Sequence, residues 1–246
     1  MDPVALSIVI PAYQEEARIG RTLEATRAYL DTRGVSAEVL VVDDGSRDGT
    51  ARIVEAQSAL DPRVELVRLP HNRGKGAAVR EGMLRARGSR VLFMDADLAT
   101  PLEELPKLEA ALDRGADLAI GSRGLDSSNI VVHQNPLRET MGKTFNLLVQ
   151  VLAVRGIRDT QCGFKLFTRA AAHALFREAT VDRFAFDVEI LLLAQGRYRV
   201  DEVPVTWRHV DNSKVSPLRD ATRMALDLTR LRFLIESRRW RDRLKR

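Results

Sequence analysis

Cys162 is the only cysteine among 246 residues, so the chain can form no internal disulfide and can build no cysteine metal cluster. A single thiol fits a reducing cytoplasm, and with no histidine near it in sequence Cys162 reads as buried packing rather than a nucleophile. No run reaches the roughly 18 uncharged apolar residues of a membrane-spanning helix. The opening residues, MDPVALSIVIPAY, lack a basic n-region and carry only a short apolar run, so no secretory signal is expected. Both glycine-rich nucleotide signatures are missing. No GxGxxG follows the first strand, and Gly74-Lys75-Gly76 fails the GxxxxGK[ST] spacing. There is no internal repeat and no evident linker. None of His71, His133, His173 and His209 stands at metal-ligand spacing from another.

Charge is short over most of the chain. Ten Arg/Lys against four acids fall in residues 217–246, a net of +6, while the whole chain carries +5. The other 216 residues therefore sum to −1. Basicity confined to one end excludes a nucleic-acid footprint spread over the fold.

What is present is alternation. Apolar runs at Leu6–Ile10, Glu38–Val42, Val64–Leu69, Val91–Met94 and Asp117–Gly121 are separated by helical patterns over about 15–30, 50–60, 74–86 and 102–114. Pro11 is expected to stop the first strand, and Asp48 or Thr50 to cap the second helix. This order predicts βα units on a mainly parallel sheet, an α/β fold whose strand-end loops gather on one edge. Gly124–Asn135 reads as a long loop and Leu137–Ala153 as a helix. Asp159–Phe167 reads as irregular and then strand-like. Helices are expected at Arg169–Phe176 and Asp187–Gln195, and a strand at Tyr198–Trp207.

The most informative stretch is RVLFMDADLAT, residues 90–100. Its apolar run reads as a buried strand, and Asp95 and Asp97 follow at the edge where open α/β sheets bind ligands. Two residues apart on one extended strand, both carboxylates would share a face. Paired hard oxygens suit Mg²⁺ or Mn²⁺ completed by substrate phosphates. A second acidic strand end, Asp43-Asp44, lies upstream.

With these segments the chain resembles the family 2 inverting glycosyltransferases of GT-A fold. The matching stretches are SIVIPAYQEE (7–16), VVDDGSRDGT (41–50), NRGKGAAVREG (72–82), DADL (95–98) and IGSR (120–123). DTQCGFKLF (159–167) and FAFDVEILLLA (184–194) look like the dolichyl- or polyprenyl-phosphate glucosyltransferases within it. The resemblance implies one GT-A domain with a Rossmann-like mixed, mainly parallel sheet over residues 1–216, followed by a basic tail at 217–246. It implies that Pro11, Tyr13 and Glu15 shape a nucleoside pocket, that Asp43 accepts from the base with Asp44 beside it, and that Ala96 and Lys75 meet the donor. Asp95 would lie near ribose and metal, Asp97 would ligate the metal, and Lys214 would be a second cation. One departure is Ala99, where the mannosyl branch often carries a metal-contacting Gln; another is Gly142, where related mannosyl enzymes often have Ser.

Within that resemblance the acceptor decides what else is needed. A sugar hydroxyl must lose a proton to a base; Asp187 and Glu189 match the family's acidic position and would serve as that base or orient donor hydroxyls. A lipid phosphate is already anionic and needs cations, for which Arg123 and Arg138 are suited. Asp159 and Gln161 would line the sugar or acceptor pocket. The implied reaction moves a hexose, foremost glucose from UDP-glucose, to a polyprenyl or dolichyl phosphate with a divalent metal. The alternatives are GDP-mannose as donor, a saccharide or small-metabolite acceptor, a sugar-phosphate nucleotidyltransferase, and a non-catalytic nucleotide-sugar scaffold.

In the tail, Leu218, Ala221, Met224, Leu228, Leu231 and Ile235 form one helical stripe with arginines on the other faces. Such a helix, with Trp240 at the interface, is expected to attach the chain peripherally to an anionic membrane on its cytoplasmic side.

Overall fold

Residues Val91 to Met94 are each at most 1% exposed, yet they serve two cores. Val91 and Phe93 join one apolar cluster and Leu92 and Met94 the other, which is the alternation of a strand covered on both faces. The computed structural model describes residues 3–125, 127–132 and 156–208. Its strands are β1 (Leu6–Ala12), β2 (Ala37–Asp43), β3 (Val64–Arg68), β4 (Arg90–Met94), β5 (Leu118–Ser122), β6 (Asn129–Val132), β7 (Phe164–Thr168), β8 (Val200–Pro204) and β9 (Thr206–Arg208). Its helices, among the described residues, are α1 (Ile19–Arg33), α2 (Thr50–Leu60), α3 (Lys75–Arg85), α4 (Leu105–Asp113), α5 (Arg169–Glu178) and α6 (Phe186–Ala194). A short 3-10 turn, Leu102–Glu104, leads into α4.

Seven strands form one sheet in the order β3-β2-β1-β4-β7-β5-β8. All pairings are parallel except those of β7, which runs antiparallel to both β4 and β5. The expected mixed, mainly parallel α/β sheet is what forms. One cluster packs α3, α5 and α6 on one face through residues such as Val79, Met83, Leu175 and Leu191. The other packs α1, α2 and α4 on the opposite face through Leu23, Val54 and Leu108. Phe93 and Phe186 meet edge-on, with ring centroids 5.7 Å apart and planes at 72°.

Several expectations need correction. Pro11 does not end β1, which continues to Ala12. Pairing of β1 with β4 stops at Val9, and the Ala12 carbonyl turns to β2, accepting from the Asp44 N–H at 2.8 Å. The alternate residue, Pro11, therefore faces the unpaired side, where a missing N–H breaks no ladder bond. Helix α1 begins at Ile19 rather than near Glu15, because residues 13–16 are tied to the 46–50 loop, with the Gln14 N–H on Ser46 Oγ and the Glu15 N–H on Thr50 Oγ1. Gly49, not Asp48 or Thr50, is the cap of α2. The 124–135 loop contains β6, paired with β9, and the strand expected over 198–207 divides at Val205 into β8 and β9. The helix expected at 137–153 and the tail helix lie outside the described residues.

Helix α3 sits unusually close to the sheet. A Cβ at Gly82 would collide with the Val9 side chain and crowd Val42, both of which are fully buried. Gly82→Ala should therefore lower stability by about 1–2 kcal/mol in urea unfolding, despite the gain in helix propensity, because overpacking outweighs it.

Candidate active site

The carboxyl edge of β1, β2 and β4 gathers the acids. Asp43 ends β2, fully buried. Its Oδ1 accepts the Ser46 N–H at 3.0 Å. Its Oδ2 is buried with no hydrogen bond and has only the half-exposed Arg68 Nε at 3.4 Å. A buried acceptor in that state is poised for a ligand donor. Asp44 instead holds the turn into α3, accepting the N–H groups of Arg73 and Gly74, both at 2.8 Å. Burial raises its pKa in spite of those two bonds.

Asp95 and Asp97 follow β4, but not on an extended strand. The strand ends at Met94, the next residues turn, and Leu98 has φ +54°. Asp97 Oδ1 accepts the Ala99 N–H at 3.0 Å, closing the turn. The carboxylates remain neighbours: burial, and next the charge of Asp95, push the Asp97 pKa upward. Two cations answer them. Lys75, in the first turn of α3, meets Asp95 Oδ1 at 2.6 Å. Arg18 forms a two-point ion pair with Glu15 and also feels both aspartates; the Glu15 bonds are the largest cause holding its charge firm. Ala96 is buried, and its carbonyl accepts from Thr22 Oγ1 at 2.7 Å, which anchors the turn to α1. Among the described residues no group of three or more His, Cys, Asp or Glu is placed to hold a metal. Asp95 and Asp97 could together supply two carboxylate ligands to a hard divalent ion whose other ligands are phosphates and water.

Antiparallel β7 brings Asp159–Gly163 to the same edge. The Asp95 N–H donates to the Gly163 carbonyl at 3.0 Å. A Cβ on Gly163 would lie inside the Asp95 carboxylate. A small cavity here is lined by Asp95, Asp97, Thr100, Gly163 and Trp207. The strand β9 crosses the acidic turn, with the Arg208 N–H on the Ala99 carbonyl at 2.8 Å. Cys162 is buried, which pushes its thiol up to about 12 and leaves it unreactive.

The remaining candidates are already engaged. Asp159 grips Arg123 through Nε at 2.6 Å and Nη2 at 2.9 Å, and accepts the backbone N–H groups of Arg123 and Gln161. Burial alone would raise its pKa; Arg123 holds it below the ordinary range. The Arg123 guanidinium also lies over the Trp207 ring, 5.3 Å from the centroid. Arg123 is thus a partner of Asp159 here rather than a cation open for an acceptor phosphate. Glu189 holds the loop before α6, accepting from the Thr180 and Val181 N–H groups and the Thr180 hydroxyl. Both Glu189 oxygens, expected to serve as a base or to orient donor hydroxyls, are thereby engaged by this loop. Asp187 is buried and paired with Lys165 at 2.5 Å. Pro11 and Tyr13 are half-buried at the end of β1, and Gln161 is half-buried in the 159–163 turn. Arg138, Lys214 and His209 lie outside the described residues. Sequence reasoning passed over Arg18, Gly163, Lys165 and Trp207. Only Lys165, a charge inside an apolar alternation, carried a readable signal.

A mixed seven-stranded sheet with one antiparallel central strand, and with acids at its carboxyl edge, is the GT-A glycosyltransferase fold. Two solved structures share it. Glucosyl-3-phosphoglycerate synthase from Mycobacterium tuberculosis, solved with Mn²⁺, UDP and glucosyl-3-phosphoglycerate, gives a TM-score of 0.71 at 21% identity, covering 93% of this chain and 80% of that one. Mannosyl-3-phosphoglycerate synthase from Rubrobacter xylanophilus gives 0.69 at 20% identity, covering 99% and 76%. The chain belongs to glycosyl transferase family 2, whose sequence profile matches residues 7–176. It is similar to the dolichyl-phosphate beta-glucosyltransferases of Dictyostelium discoideum (39% identical, covering 95% of this chain and 75% of that protein), Drosophila melanogaster (41%, 96% and 77%) and Homo sapiens (37%, 96% and 77%).

Because Gly163 abuts Asp95, Gly163→Ala should cut transferase activity at least about tenfold, the scale of a misplaced catalytic group, while the protein still unfolds cooperatively. Wild-type rates in the variant would sever Asp95 from the chemistry.

Proposed function

We propose that the chain transfers glucose from UDP-glucose to a polyprenyl phosphate of dolichyl type, with inversion at C1. The observation that carries this is the state of the acids around Asp95 and Asp97. Asp159, Asp187 and Glu189 are each held in an ion pair or by backbone N–H groups. A phosphate acceptor arrives already ionised and asks for no base, whereas a hydroxyl acceptor would need one of these acids released. The names of the relatives at 37–41% identity over nearly the whole chain support the same acceptor and sugar.

In this reading the buried, unbonded Oδ2 of Asp43 accepts the N3–H of a pyrimidine base. Pro11, Tyr13 and Glu15 bound the nucleoside pocket. Asp95 and Asp97 would hold a divalent metal, Mg²⁺ or Mn²⁺; the M. tuberculosis structure with Mn²⁺ and UDP supports the class of ion. When bound, the metal supplies positive charge to the diphosphate as it leaves. Lys75 and Arg18 add fixed cations on the same side. The acceptor phosphate oxygen forms the new bond to C1 as the bond from C1 to the diphosphate oxygen breaks, and UDP departs. No proton changes hands. Arg138 and Lys214 remain the candidate cations for the acceptor and donor phosphates.

The test mixes the purified chain, Mg²⁺ or Mn²⁺, labelled UDP- and GDP-sugars and a short polyprenyl phosphate. Label should enter the organic phase from UDP-glucose and in an Asp97→Asn variant should fall by about 10²-fold or more, as when a main electrostatic stabiliser is lost. Transfer from GDP-mannose instead, or only to a hydroxylated acceptor, would overturn the donor or the acceptor assignment.

The tail completes the proposal. Its stripe and arginines suit an anionic surface where a lipid phosphate is reached. Deleting residues 237–246, which carry six Arg/Lys and one acid, should weaken sedimentation with anionic liposomes and leave binding to neutral ones unchanged. Equal binding by the shortened chain would remove the tail as an anchor.

A further inference from the structure

Lys165 interrupts the apolar alternation of β7. Phe164, Leu166 and Phe167 are fully buried, and Lys165 is only 1% exposed. An ammonium in that position is tolerated only when fully partnered. Its Nζ donates to Asp187 Oδ1 at 2.5 Å and to the Cys162 carbonyl at 2.7 Å. Its remaining side rests on the Phe93 ring, 5.7 Å from the centroid, with Lys75 Nζ 5.4 Å from the same centroid. Phe93 is the register partner of Lys165 across the β4–β7 pair.

The Cys162 carbonyl is the revealing contact. It belongs to the turn that delivers Gly163, and the Gly163 carbonyl accepts the Asp95 N–H at 3.0 Å. Gly163 also leaves no space between its Cα and the Asp95 carboxylate. The ammonium, the turn and Asp95 form one continuous chain of contacts. Asp187, in the first turn of α6, faces Lys165; burial pushes its pKa upward and the Lys165 ammonium opposes that.

We propose that Lys165 and Asp187 form a positioning pair for the donor edge: the ammonium pins the Cys162–Gly163 turn, that turn sets Asp95, and Asp187 is the counter-ion of Lys165 rather than a general base. The proposal rests on reading Asp95 and Asp97 as the donor and metal site. Lys165 touches neither substrate nor metal in it and acts through the turn.

The test uses the full chain with Lys165→Met, Asp187→Asn and the double variant. Each single change leaves one buried charge without its partner, so either can lower the melting temperature sharply. The double change removes both charges and should melt close to wild type. Two quantities are then read in the double variant: amide hydrogen exchange at Asp95, and calorimetric binding of UDP with Mn²⁺. Methionine has no N–H for the Cys162 carbonyl. The Asp95 amide should therefore exchange about tenfold faster and UDP–Mn²⁺ should bind about tenfold more weakly, the scale of one hydrogen bond to a charged group. Amides in the β1–β2 ladder should be unchanged, which separates positioning from general loosening. Wild-type exchange and wild-type UDP affinity in the double variant would overturn the proposal. So would an Asp187→Asn protein that binds UDP–Mn²⁺ normally but loses turnover together with the acidic limb of its pH profile, since Asp187 would then be a base. Failure of the wild type to bind UDP–Mn²⁺ would refute the donor reading, and the exchange comparison would still decide whether Lys165 holds the turn.

Discussion

Strand β7 enters the sheet from the carboxyl edge and runs antiparallel between β4 and β5. This direction brings the residues before β7, Asp159 to Gly163, to the edge where β2 and β4 deliver the residues after them. A parallel strand in that slot would have sent the 159–163 turn to the opposite edge. The Asp95 N–H would then lose the Gly163 carbonyl, and Lys165 would have no turn to hold. The geometry of the acidic site thus depends on one strand whose direction differs from its neighbours.

The site is also a problem in charge. Asp44 lies close enough to Asp43, and Asp97 to Asp95, for each to feel its neighbour's charge, and like charges at short range resist full ionisation. The upward shift of Asp97, from burial first and Asp95 second, is the signature of that resistance. The fold answers with fixed cations, Lys75 on Asp95 and Arg18 nearby, and with backbone N–H groups on Asp44. Asp43 Oδ2 has only the exposed Arg68 at 3.4 Å and receives no hydrogen bond. A site so arranged favours a ligand that brings both a cation and a hydrogen-bond donor, and a metal-bound nucleotide brings both.

Local pattern carried most of the fold in the sequence, and partnership carried least. Apolar runs of four to seven residues ending in acids, such as VLFMDAD, signal buried strands because alternation and burial are properties of the segment itself. The acids at the ends of β2 and β4 were legible for the same reason. Strand direction was not, because the alternation in FKLF is identical in either sense. Nor was the turn through Ala96 and Asp97, continued by the positive φ of Leu98, that takes Asp97 off the extended path assumed for it. Arg18 looked like one more helix arginine, and nothing in its neighbours announces that it will reach Glu15 and the aspartates. Arg123 and Glu189 were read as free functional groups because sequence lists charges without their partners; Asp159 and the Thr180–Val181 amides, which occupy them, are brought there only by tertiary packing.

That occupancy separates two kinds of chemistry. A carboxylate that must act as base needs an open oxygen within reach of the substrate proton. Asp159 has both oxygens on Arg123, Glu189 has both on the loop before α6, and Asp187 faces a buried ammonium. Freeing any of them would strand a buried charge or backbone group, at a cost of about 1–3 kcal/mol for each hydrogen bond lost and more for a separated ion pair. Such a penalty would enter the barrier of every turnover that required proton abstraction. An acceptor that brings its own negative charge avoids the penalty, and the same ion pairs can then keep the edge rigid while the sugar changes partners.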